Sequence, residues 1–297
     1  MDHIAIALTD DAALRVYAAI TTDTVKEAQI LHKSYPVATA ALGRTLTAGA
    51  IMGAMLKGDK GSITIQIKGD GPLGTIIVVS DSKSNVRGYV SNPDISMPPR
   101  ADGKLDVGGG VGKNGFVNIV RDLGMGKPYA GHIELVSGEI AEDLTKYFAV
   151  SEQIPTAMAL GVLVDTDGSV AASGGFIVQL MPGFGYGDDE IITRLEETIK
   201  TLPSVTKMIA DGADGEGIIN ALLEGTPYNV LEKRGVRYKC GCSYKRVERA
   251  LISIGEKDLL SLIEDGIDAV IDCNFCDKKY VFSVEHLKAL LRKCRKS

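Results

Sequence analysis

The sequence predicts an α+β fold: an N-terminal, mostly antiparallel β-sheet core domain with packed helices, a helical linker, and a small C-terminal four-cysteine domain. Three observations predict it. Up to Leu180 the apolar residues come in short alternating or continuous runs broken by turn residues, as strands require. From Ile191 the period changes, and Ile191, Ile192, Leu195, Ile199 and Leu202 share one helical face. Near the C-terminus, four cysteines stand in two close pairs, Cys240-Gly241-Cys242 and Cys273-Asn274-Phe275-Cys276. The expected division is 1–183 for the core domain, 184–232 for a metastable helical linker and 233–297 for the cysteine domain.

In chain order, His3 to Leu8 and Leu14 to Ile20 flank Asp10-Asp11 and predict an opening hairpin. Thr22 or Asp23 caps a helix through Val25, Ile30 and Leu31, which must stop before Pro36. An Ala-, Gly- and Met-rich helix follows and ends around Gly58. Ile63, Ile65 and Ile67 alternate with Thr64 and Gln66, giving a strand with one buried face. Gly69-Asp70-Gly71-Pro72 turns the chain into strands at Thr75 to Val79 and Val86 to Val90. Residues Pro93 to Gly115 read as a long loop, Phe116 to Arg121 and Tyr129 to Val136 as strands, and Glu139 to Ser151 as a helix. A last hairpin joins Ala157 to Val164 and Ser169 to Leu180 about Asp165-Thr166-Asp167-Gly168. Pro182 to Gly187 is the linker candidate, followed by short helices broken by Pro203, Gly212, Gly215 and Gly225. The C-terminal domain then reads as a cysteine turn, helices near Tyr244 to Ser253 and Lys257 to Glu264, a strand into the second turn, and a closing helix from Val284.

Composition narrows the function. The 297 residues suffice for two domains and a sizeable core, and 45% hydrophobic with 24% charged residues suit a globular chain. The apolar stretch from Val37 to Leu56 contains Arg44, and a mid-span charge costs about 3 kcal/mol on insertion scales, so a buried helix is expected and no membrane association. No export-signal pattern opens the sequence, and the cysteines are grouped, which predicts the reducing cytoplasm, where thiolates stay free for metal. The net charge of −5 divides into +5 from Glu232 onward and −10 before it. That bias is too mild, and too poor in interleaved aromatics, to predict a nucleic-acid partner.

Other motifs fail on detail. Gly108-Gly109-Gly110-Val111-Gly112-Lys113-Asn114 has Val107 and Asn114 where a phosphate loop needs Gly and Ser or Thr, so a mobile surface loop is expected. His3, His32, His132 and His286 are dispersed and nominate no catalytic site, and no enzyme activity is predicted. His286 is expected to be solvated or partly packed rather than a metal ligand. Cys294 sits among Arg292, Lys293, Arg295 and Lys296, whose charges lower a thiol pKa, but a free thiol on a frayed tail is the simpler reading.

The cysteine pairs point to one tetrahedral Zn²⁺ held by Cys240, Cys242, Cys273 and Cys276, with Gly241 admitting a positive φ in its turn. Spacing alone favours a structural ribbon, for which nucleic-acid binding is the alternative function. The rival is a redox switch, because neighbouring thiols can form a local disulfide without long chain movement. Disulfides carry no thiolate, so the metal would leave, and in a small metal-held domain its binding energy is folding energy.

Four further blocks accompany the cysteines. They are Gly69-Asp70-Gly71-Pro72; Arg87-Gly88; Tyr147-Phe148 with Ser151-Glu152-Gln153 and Pro155-Thr156; and Gly174-Gly175 with Gln179, Met181 and Pro182. With them the chain resembles the redox-regulated 33-kDa heat-shock chaperone family along essentially its whole length. The resemblance implies an ATP-independent holdase that is inactive when reduced, with one Zn²⁺ on the four cysteines. On oxidation it implies disulfides Cys240–Cys242 and Cys273–Cys276, zinc release, and unfolding of the C-terminal domain and linker. It further implies binding of unfolding client proteins, commonly as a homodimer. Cys294 has no place in that pattern.

Overall fold

The computed structural model describes residues 1–124, 126–183 and 189–295. It divides into two compact units, Met1–Lys239 and Cys240–Ser297.

The first unit opens on the expected hairpin, β1 (His3–Thr9) and β2 (Leu14–Ile20), then α1 (Thr22–His32) and α2 (Pro36–Ala54). A meander follows through β3 (Ser62–Lys68), β4 (Thr75–Asp81) and β5 (Asn85–Val90), with α3 (Val107–Val111), β6 (Phe116–Asp122) and β7 (Tyr129–Glu134) after it. Next come α4 (Ala141–Tyr147), a π-helical turn (Phe148–Glu152), β8 (Thr156–Val164) and β9 (Val170–Leu180). Three helices, α5 (Asp189–Thr201), α6 (Val205–Ala210) and α7 (Gly215–Leu222), lead to β10 (Tyr228–Gly235) and β11 (Arg237–Tyr238). The strands form two sheets, ordered β10-β1-β2-β9-β8 and β11-β5-β4-β3-β6-β7, with all pairings antiparallel except β11 with β5.

Helix α2 lies between these sheets, and every residue of it except Pro36 and Arg44 is buried. A helix apolar on all sides belongs in a core, and here its small residues set the spacing. A Cβ on Gly49 would stand 2.6 Å from Val78 Cγ1, and one on Gly43 would stand 2.7 Å from Val162 Cγ2. Thr45 and Thr47 satisfy their hydroxyls by donating to Ala41 O and Gly43 O one turn back. Arg44 reaches Glu139 at 2.6 Å, so the one charge in the helix is paired at its edge.

The five-stranded sheet is covered on its other face as well. Val16, Ala18, Phe176 and Val178 pack under Val205, Met208, Ile218, Ile219 and Leu222 of α6 and α7. The apolar stripe of α5 joins that layer, but Ile191, Ile192, Leu195, Ile199 and Leu202 are only partly buried.

Several expectations are corrected. The loop at 93–115 contains α3, and Gly108, Gly110 and Gly112 of the expected mobile stretch are packed against their neighbours. Gly71 N donates to Val111 O and Leu73 N to Gly110 O, an approach so close that a Cβ on Gly69 would run into Val111 O. The carboxylate of Asp70 clasps the same segment, accepting from Lys113 N, Asn114 N and Asn114 Nδ2. Helix α1 is capped from outside, with Asp2 accepting from Asp23 N and Thr24 N where Thr22 or Asp23 was expected. Gly215 begins α7 instead of breaking a helix, its amide held by His3 Nε2. The expected boundary at 232/233 falls inside β10, which pairs with β1, so the stretch 184–232 is not helical throughout. Residues 184–187 of the linker candidate lie outside the described residues.

The second unit contains α8 (Tyr244–Ser253), α9 (Glu256–Glu264), the hairpin β12 (Ala269–Asp272) with β13 (Lys279–Phe282), and α10 (Val284–Cys294). Strand β13 was not expected. Its core holds eight buried apolar residues, Leu251, Leu259, Ala269, Tyr280, Phe282, Leu287, Leu290 and Leu291. So small a core usually needs a further staple.

Candidate metal centre

Two turns bring that staple together. The first, Cys240 to Cys242, runs directly into α8, where Ser243 accepts from Arg246 N and fixes the helix start. Arg246 Nη1 in turn donates to Gly241 O at 2.7 Å. Gly241 does not adopt a positive φ, contrary to expectation; a Cβ there would stand 2.9 Å from Arg246 Nη1. The second turn closes the β12–β13 hairpin, with Cys276 N and Asp277 N donating to Cys273 O and Cys273 N to Lys278 O. The positive φ of this turn falls on Asp277, at 55°.

The four sulfurs of Cys240, Cys242, Cys273 and Cys276 all lie within 4.8 Å of one another, and each is half-buried. Cys240 Sγ and Cys273 Sγ are 3.7 Å apart, and Cys242 Sγ and Cys276 Sγ are 3.4 Å apart. A tetrahedral Zn²⁺ with bonds of about 2.3 Å needs sulfur–sulfur edges of about 3.8 Å. The chain therefore supplies the right donor type, number and spacing for such an ion. Backbone amides of Cys242 and Lys278 also bond the sulfurs of Cys240 and Cys276, as outer partners of bound thiolates do. All five cysteines of the chain are free thiols.

The sulfurs differ electrostatically. Burial pushes the Cys240 and Cys276 thiols up. Burial also raises Cys242, but hydrogen bonds from Tyr280 Oη and the neighbouring thiols outweigh it and bring Cys242 down to about 7.

His286 takes no part in the cluster. Its Nε2 meets Glu248 Oε1 at 2.7 Å, and its ring packs beside Tyr244 and Phe282, the partly packed side chain expected. Cys294 is not on a frayed tail. It ends α10, half-buried in the small core, with Sγ 3.6 Å from Ile252 O. Tyr280 was missed: its hydroxyl donates to Cys242 Sγ at 3.0 Å. Period-2 alternation over Lys279, Tyr280, Val281 and Phe282 would have placed it on the core side of a strand.

A two-sheet α+β unit followed by a small unit clasped by four thiols defines a protein whose folded state can answer to metal and oxidant. Comparison with known proteins makes the class specific. Residues 2–283 match the family described as Hsp33 protein, and the chain belongs to that family. It is 48% identical over 291 residues to the 33 kDa chaperonin of Ruminiclostridium cellulolyticum, covering 98% of both chains. It is likewise 48% identical to the 33 kDa chaperonin of Clostridioides difficile, with 98% of this chain and 99% of the relative covered. Among solved structures, the 33 kDa chaperonin of Thermotoga maritima superposes with a TM-score of 0.88 at 36% identity, covering 100% of this chain and 99% of that one. The protein is accordingly a redox-regulated chaperone with a four-cysteine metal site, and not an enzyme.

Proposed function

We propose that the four cysteines hold one Zn²⁺ in the reduced chain and that oxidation of the pairs Cys240–Cys242 and Cys273–Cys276 converts it into an active holdase. Each pair would lose two electrons as its two thiolates form one S–S bond, while one peroxide takes up two protons and those electrons to give two waters. A disulfide offers no thiolate, so no ligand set remains for the ion. Metal binding contributes about 10–16 kcal/mol to folding in comparable small domains. A unit with eight buried apolar residues cannot absorb a loss of that size. It would unfold.

The segment 184–232 is proposed to loosen with it. Its helices hold the β1–β2–β9 face partly through half-buried residues, and the cysteine unit begins one residue after Lys239, whose amide bonds Val86 O at the end of the last strand. Loosening α5–α7 would bare Val16, Phe176 and Val178 with the apolar stripe of α5, a surface suited to unfolding client proteins. Homodimers of the oxidised chain and a cytoplasmic location, where thiols are kept reduced until stress, complete the proposal. Among the described residues, no helix is long and apolar enough to cross a membrane.

The observation that carries this reading is the convergence of four sulfurs on one point in a unit too small to hold itself. The test is zinc content and thiol count before and after peroxide at raised temperature, run beside the aggregation of an unfolding protein. Zinc and four thiols should disappear as aggregation is suppressed. If zinc leaves and both disulfides form while the client aggregates at the control rate, the switch is not what activates the chaperone.

A further inference from the structure

We propose that Tyr280 is a positioning residue of the clasp, whose hydroxyl holds the Cys242 sulfur and thereby sets how firmly the four cysteines retain a metal ion. The inference rests on the zinc reading above and adds a residue outside the ligand set.

The geometry is specific. Tyr280 Oη lies 3.0 Å from Cys242 Sγ, and the residue is only 5% exposed, facing the small core beside Phe282. Its ring cannot swing away without emptying that core. The Tyr244 ring lies beside it at 6.2 Å between centroids, and Lys278 Nζ stands over it, 5.6 Å from the centroid. A cation against the face of a phenol draws electron density from the ring and makes its O–H a better donor.

The placement matters as much as the bond. Tyr280 follows the second cysteine pair, whereas Cys242 belongs to the first, so this one contact ties the β12–β13 hairpin to the start of α8. Cys240 and Cys276 receive backbone amides, which every sequence with this turn would supply. Cys242 receives a side chain, which a single substitution removes. A thiolate that accepts an O–H is stabilised in its charged form and fixed in direction, the two properties a metal ligand needs.

The experiment compares the full-length wild type, Tyr280→Phe and Tyr244→Phe, all reduced and zinc-loaded, in competition with a chromophoric zinc chelator. Tyr244→Phe is the control, because Tyr244 Oη donates to Val281 O at 3.1 Å and to no sulfur. Tyr280→Phe should weaken zinc binding by about tenfold, the lower end of what outer-shell partners contribute. Tyr244→Phe should leave it unchanged. With Co²⁺ in place of zinc, Tyr280→Phe should keep the tetrahedral four-sulfur bands. Its sulfur-to-cobalt charge-transfer band should move to longer wavelength, because one thiolate has become richer in electrons. Should Tyr280→Phe not fold, wild type carrying 3-fluorotyrosine keeps every ring and makes each phenol a stronger donor, and it should release zinc more slowly. Unchanged affinity and charge-transfer energy in Tyr280→Phe, an equal loss in Tyr244→Phe, or unaltered release from the fluorotyrosine protein would each overturn the proposal. A wild type that binds no zinc would instead overturn the reading on which it rests.

Discussion

Asp70 shows what one side chain contributes away from the clasp. The amide of Asn114, its side chain first and its backbone next, holds the Asp70 carboxyl below its ordinary value of 3.8. A group whose pKa is lower folded than unfolded stabilises the fold above the unfolded value and loses that effect as pH falls through the folded one. Asp70→Ala should therefore lower the melting temperature at neutral pH, with the gap from wild type closing as the pH drops below about 4. A gap that is constant from neutral to acid pH would show that the carboxylate charge is not what holds the Gly110–Asn114 segment. At this scale the sequence was legible where chemistry is local. Four cysteines in two close pairs mark a cluster whose sulfurs do converge, whereas Asp2 capping α1 and Tyr280 reaching Cys242 are contacts between residues 21, 22 and 38 positions apart. No local pattern encodes them.

Elements differ in how much of their stability is their own. Helix α2 announces itself by composition, and its burial between two sheets follows from its lack of a polar face. Helices α5–α7 depend on the sheet beneath them, since short helices with frequent breakers are marginal alone. Ile219 of α7 is fully buried in that layer. Ile219→Ala should cost about 2–5 kcal/mol, the range for a buried aliphatic truncation. Amide exchange in α5–α7 should accelerate in this variant while α2 stays protected. Equal acceleration in both would mean that the layer melts only with the whole unit. Strand β10 escaped the sequence reading for a related reason. As a mostly exposed edge strand it carries Asn229, Glu232, Lys233 and Arg234, residues that guard an edge against other chains but erase the apolar alternation by which strands are recognised. The Gly-rich segment misled in the opposite direction. Glycines commonly mark mobile loops, yet Gly69, Gly71 and Gly112 are small here so that two backbones can touch.

Across the whole molecule, two units have separate cores. The first has two sheets and a buried helix; the second has eight buried apolar residues and four sulfurs. Stripping the metal from fully reduced protein separates the two consequences of oxidation, ion loss and disulfide formation. If the ion is the staple, chelation alone should abolish the helical signal of α8–α10 and leave a single cooperative transition from the first unit, seen by circular dichroism and calorimetry. Because the thiols survive, adding zinc back should restore the lost signal, whereas after peroxide it should not until a reductant opens the disulfides. The disulfides would then be a latch that keeps an opened clasp from reclosing, and the duration of activity would follow the reducing power of the surroundings rather than the supply of metal. Native-like helicity in the chelated, reduced chain would refute this division, by showing that the small core folds without its clasp.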